Sequence, residues 1–149
     1  MIAPALTPAE VVDAMHAAFR RSDLEGIAAH CTDDIHYEAP GVELRGKPAR
    51  LEAEKVWLNA FSANDVRTTR RFIEGDEIVD FAIMEGLHSG GLALPGGEIL
   101  PATQQRISGT YVAHYKIRDS KVAHQQIVYD RLALVEQLHP SLPCQDLGG

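Results

Sequence analysis

The apolar positions fall first at helical spacing and then at a spacing of two. Val11, Met15, Ala18 and Phe19 mark one face of a helix opened by Thr7-Pro8-Ala9-Glu10, a capping box with proline at the first helical position. Ser22-Asp23-Leu24-Glu25 has the same form and predicts a shorter helix bearing Leu24, Ile27 and Ala28, broken by Asp33-Asp34. Residues 35–38 read as a short strand, stopped by Pro40-Gly41. Gly46 and Pro48 mark a third helix start. Its stripe is Ala53, Val56, Trp57, Ala60 and Phe61, and Ser62-Ala63-Asn64-Asp65 ends it.

From there the period changes. Residues 66–73 and 77–87 predict strands joined through Glu74-Gly75-Asp76, and a glycine-rich stretch follows over 86–97. Residues 107–117 alternate, with Tyr111, Ala113, Tyr115 and Ile117 on one face and Thr110, Val112, His114 and Lys116 on the other. Arg118-Asp119-Ser120-Lys121 predicts a hairpin turn and residues 122–129 the returning strand. Asp130 caps a last helical turn through Leu138, ended by Pro140, with a frayed tail over 140–149. Helices first and antiparallel strands after make an α+β fold, expected as one domain over 1–139. A curved sheet with three helices on its concave face would leave a cone-shaped pocket.

Composition narrows the function. Fourteen Lys+Arg against twenty-one Asp+Glu give a net charge of −7 in 149 residues. That balance argues against nucleic acid and anionic membranes as partners. No apolar run approaches the roughly 20 residues of a membrane span. The first residues lack the basic region of a signal peptide. Cys31 and Cys144 sit in no metal-binding spacing. The expectation is a cytoplasmic domain without metal or cofactor.

Several landmarks carry a resemblance. They are the strand 33–40 ending in proline, Arg45-Gly46-Lys47-Pro48, Glu74-Gly75-Asp76-Glu77-Ile78-Val79, Gly86-Leu87-His88-Ser89-Gly90, and Tyr129-Asp130-Arg131-Leu132 with Gln137-Leu138. In this order and spacing the chain resembles the SnoaL-like polyketide cyclases of the nuclear-transport-factor-two-like superfamily, which also holds ketosteroid isomerase and limonene epoxide hydrolase. The resemblance implies a cone-shaped α+β fold, a homodimer, and cofactor-independent cyclisation, isomerisation or dehydration of a polyketide-like or carbonyl substrate. Alternatives are a non-catalytic ligand-binding domain with the same pocket and an epoxide hydrolase-like enzyme. Carried over one by one, the superfamily's acid/base and donor positions fall on Ala39, Met15, Ala113 and Ile127. The Arg-x-Asp of limonene epoxide hydrolase has no counterpart in 81–88.

The remaining candidates follow from strand parity. If Ala113 and Ile127 face inward, so do Tyr111, Tyr115, Gln125 and Tyr129, and Tyr37 stands beside Ala39. Tyr111 and Gln125 are candidate hydrogen-bond donors to a carbonyl. His88 is the candidate acid/base; its other reading is a structural histidine closing the strand against the loop. Tyr37, Trp57, Phe61, Ala113, Tyr115, Ile127 and Tyr129 are expected to line the ligand site, which suits a small hydrophobic or carbonyl-containing molecule. Glu38 reads as an exposed carboxylate. Arg67, Arg70 and Arg71 read as a solvated strand edge. His114, Lys116, His124 and Gln126 alternate onto the convex face, read as a polar dimer surface; no third ligand is apparent for a histidine pair there. A charged side chain at the pocket floor, hydrogen-bonded to a second polar group, would separate an enzyme from a binder.

Overall fold

The computed structural model describes residues 5–94 and 96–138. The expectations at Pro140, Cys144 and the tail 140–149 lie outside them. Helix α1 (Pro8–Arg20) opens as the sequence predicts. Thr7 Oγ1 accepts from the Glu10 amide, and the Glu10 carboxylate accepts from the Thr7 amide. Helix α2 (Leu24–Ala29) is capped by Asp23, whose carboxylate accepts from the Gly26 amide. After β1 (Cys31–Ala39) the chain turns at Pro40-Gly41 into β2 (Val42–Arg45). The sequence pattern predicts only a strand end there. With Gly41 at φ 75° it is a hairpin turn, and glycine takes that left-handed conformation freely.

Helix α3 (Lys47–Ala60) runs directly into β3 (Phe61–Glu74). Phe61 is therefore the first strand residue, not the last position of a helical stripe. Val56 points outward and is exposed. The tetrapeptide 62–65 was expected to end the helix. It forms a bulge instead, where the pairing of β3 with β4 (Glu77–His88) shifts between Ser62 and Asp65 and Ala63 takes φ 49°. The glycine-rich stretch folds as a small hairpin of β5 (Leu92–Ala93) and β6 (Ile99–Leu100). Gly90 lets it close on α3, since a Cβ there would strike the Asn59 carbonyl oxygen. β7 (Arg106–Arg118), β8 (Lys121–Tyr129) and α4 (Arg131–Gln137) complete the fold.

The main sheet has the order β2-β1-β8-β7-β4-β3. β1 and β8 run parallel and the other neighbours antiparallel, so the sheet is mixed and the architecture α+β. One core packs Val11, Val12, Met15 and Ala18 of α1 against Ile78, Tyr115 and Ile117. A second, at the other end, joins Ala60, Phe61, Ile107 and Leu138. No described helix is long and apolar enough to cross a membrane.

Candidate active site

Between the helices and the concave sheet face lies a cavity of about 420 Å³. That size suits a small-molecule ligand. Strand parity fixes much of its wall. Pairing sets Tyr111 opposite Tyr129, Ala113 opposite Ile127 and Tyr115 opposite Gln125. Tyr111, Tyr115, Gln125, Ile127 and Tyr129 line the cavity, with Tyr37 from β1 and Trp57 from α3.

Three expected site residues lie elsewhere. Ala113 shares the face of Tyr111 and Tyr115 but is fully buried in the core that packs against α1. Phe61 belongs to the second core, stacked on Trp57 with ring centroids 4.1 Å apart. His88 is fully buried at the end of β4. Its Nδ1 accepts from the Thr103 amide at 3.2 Å and lies 2.9 Å from the Thr103 hydroxyl. Its backbone bonds to Gln104 and Gln105, and its ring packs on Phe61. This histidine pins the 101–105 segment to the sheet. Burial pushes its pKa down, which keeps it neutral.

The charged pair of the cavity and its histidine are ones that sequence reasoning missed. Arg50 and Glu54 stand one turn apart on α3, with Arg50 Nη1 donating to Glu54 Oε2 at 2.6 Å. Arg50 Nη2 also donates to Gln125 Oε1 at 3.4 Å, and the guanidinium lies 4.3 Å from the centre of the Tyr37 ring. Arg50 Nε is buried without a partner. Burial opposes the Arg50 charge, and the paired Glu54 carboxylate more than offsets it, so the Arg50 pKa lies above its ordinary value. Because Gln125 Oε1 faces Arg50, its amide NH₂ remains available as a donor.

A second polar group sits on α1. His16 Nε2 lies 3.4 Å from the Tyr115 hydroxyl. Burial pushes the His16 pKa down to about 4, partly opposed by Asp80, so the ring is neutral at pH 7. Burial also raises the Tyr111 and Tyr115 hydroxyls, which stay protonated donors. Asp80, fully buried on β4, is held by Arg71 through bonds of 2.7 and 2.9 Å and by the Thr68 hydroxyl. This corrects the reading of Arg71 as a solvated edge. The register shift between Thr68 and Arg70 turns Arg71 toward Asp80 and, on α1, Asp13.

On the convex face Glu38 is not a free carboxylate. Its Oε2 lies 2.7 Å from His124 Nε2, and the parallel β1–β8 pairing also brings His36 beside it.

The family model for the SnoaL-like polyketide cyclases matches residues 9–138. The chain belongs to the SnoaL-like polyketide cyclase family. Solved structures agree on the fold. AclR from Streptomyces galilaeus superposes with a TM-score of 0.75 at 24% identity, over 91% of this chain and 97% of its own. TsrD from Streptomyces laurentii gives 0.73 at 22%, over 87% and 92%. An LEH-like epoxide hydrolase of M. tuberculosis gives 0.69 at 14%, over 95% and 96%. No curated protein matches the chain in sequence. In the cavity lining, Arg50 and Glu54 of α3 stand among apolar residues that include Met15 and Ile127, with Asp130 just past the end of β8.

Proposed function

We propose that this SnoaL-like protein is a cofactor-independent enzyme that moves a proton on an enolisable carbonyl substrate, driving cyclisation, isomerisation or dehydration. The observation that carries this reading is the Arg50–Glu54 pair, an ionised couple placed in an otherwise largely apolar, tyrosine-lined cavity. A binding pocket for a neutral apolar ligand has no need of one, because burying two charges costs several kcal/mol per ion before any attraction is counted.

In this reading Glu54 takes the α-proton of the substrate through the oxygen not engaged by Arg50. The Arg50 guanidinium, the Gln125 amide and the Tyr111 hydroxyl stabilise the enolate oxygen that develops. Preorganised donors at such an oxyanion act most strongly where water is excluded. Met15, Phe19, Trp57, Met84 and Ile127 supply the apolar walls for a polyketide-like carbon skeleton. The free, buried Cys31 suits a reducing, cytoplasmic setting. A homodimer through the convex face is supported by an apolar row there, Phe81 opposite Val112 and Val112 opposite Val128.

The test is hydrogen–deuterium exchange of β-diketone and β-ketoester probes in D₂O, followed by NMR. Exchange well above the buffer rate is expected. Saturable binding of the probes without faster exchange would favour the non-catalytic binding domain.

A further inference from the structure

The convex sheet face carries a side-chain cluster that the proposed chemistry does not use. The parallel β1–β8 register sets His36 opposite His124 and Glu38 opposite Gln126. Side chains alternate along a strand, so His36 and Glu38 share one face, and His124 joins them from β8. The two imidazoles lie nearly parallel, with centroids 4.7 Å apart and planes inclined by 15°. The donor atoms of His36, Glu38 and His124 all lie within 4.8 Å of one another.

An ion pair accounts for only part of this. Glu38 Oε2 serves His124 at 2.7 Å. His36 Nε2 is buried with no hydrogen-bond partner. The Glu43 carboxylate comes to 3.5 Å of it without hydrogen-bond geometry. A buried polar atom left unpaired loses its hydration without a compensating bond. A cation taken up by the cluster would give His36 Nε2 the partner it lacks.

We propose that His36, Glu38 and His124 form a binding site for a divalent cation of the zinc class. Two imidazoles and one carboxylate are the borderline donor set that zinc takes, with a fourth position left for water or for Glu43. The site joins neighbouring strands, so an ion there cross-links β1 to β8. Arg45 on β2 pairs with His36, and Lys116 on β7 pairs with His124. Both are exposed and can carry their charge away into solvent. His114 stands aside, 2.9 Å from Glu77 and with its ring centroid 6.0 Å from that of His124.

The experiment titrates the full chain with Zn²⁺ in competition with a chromogenic chelator. One ion per chain is expected, with a rise in Tm on binding. His36→Gln, Glu38→Gln and His124→Gln should each weaken binding by at least about tenfold, while His30→Gln leaves it unchanged. Wild-type protein that fails to bind zinc overturns the proposal, as does binding that survives unaltered in the His36→Gln/His124→Gln double variant. Circular dichroism and Tm in EDTA establish that the variants fold. Zinc-edge X-ray absorption of the wild type gives a reading free of any variant: two imidazoles in the first shell support the site, and fewer overturn it.

Discussion

Arg50 and Glu54 meet at 2.6 Å inside the cavity, their side chains 5% and 12% exposed. Breaking a buried pair by removing one partner costs about 3–5 kcal/mol, because the other charge is left uncompensated. Arg50→Met should therefore lower Tm sharply. The Arg50→Met/Glu54→Gln double variant should recover part of the loss. Thermal denaturation of the single and double variants measures this directly, and strictly additive losses would mean that the two groups do not interact.

The neutral His16 makes stability depend on pH. Its pKa is about 4 in the fold against an ordinary 6.5, so below pH 6.5 the unfolded chain binds more protons than the folded one. The His16 contribution is thus complete above pH 6.5 and lost as pH falls toward 4, by on the order of 3 kcal/mol. His16→Asn should flatten that part of the profile. Urea unfolding of both proteins between pH 7 and pH 4 tests it; parallel profiles would contradict it.

His88 lies outside the cavity wall and fixes Thr103. His88→Ala should cost about 2 kcal/mol or more through the space left beside Phe61 and the lost bonds to Thr103. Turnover per folded molecule should stay within a few-fold of wild type. Activity corrected for the folded fraction distinguishes this from a catalytic role, which would remove turnover in fully folded protein.

The convex face exposes Val128 and Phe81 in one row with Val112. Light scattering should give twice the 16.3 kDa chain mass at micromolar concentration. Val128→Arg should return it to the single-chain mass.

The inward row of β7 and β8 was legible because a two-residue period has one solution once a single position is oriented. The α1 cap, the last hairpin and the helix-then-strand order were legible for the same local reasons. The site charges were not legible because the stripes are followed through apolar residues alone. Yet each stands in phase with an apolar stripe. Arg50 and Glu54 share the helical spacing of Ala53 and Trp57. His16 sits three residues before Phe19, and Asp80 alternates between Ile78 and Ala82. A charge in phase with the core is the informative exception to burial rules, and it was the available signal. The His36–Glu38–His124 cluster had no such signal. It depends on β1 lying beside β8, strands far apart in sequence, which no local pattern specifies.

Glu54 is the proposed base. Its direct test is the rate of α-proton exchange in a β-ketoester probe with Glu54→Gln beside wild type. The substitution keeps shape and hydrogen bonding but cannot accept the proton. A fall of about 10²–10⁴-fold with probe affinity retained is the expected result. Exchange by folded Glu54→Gln at the wild-type rate would contradict the account.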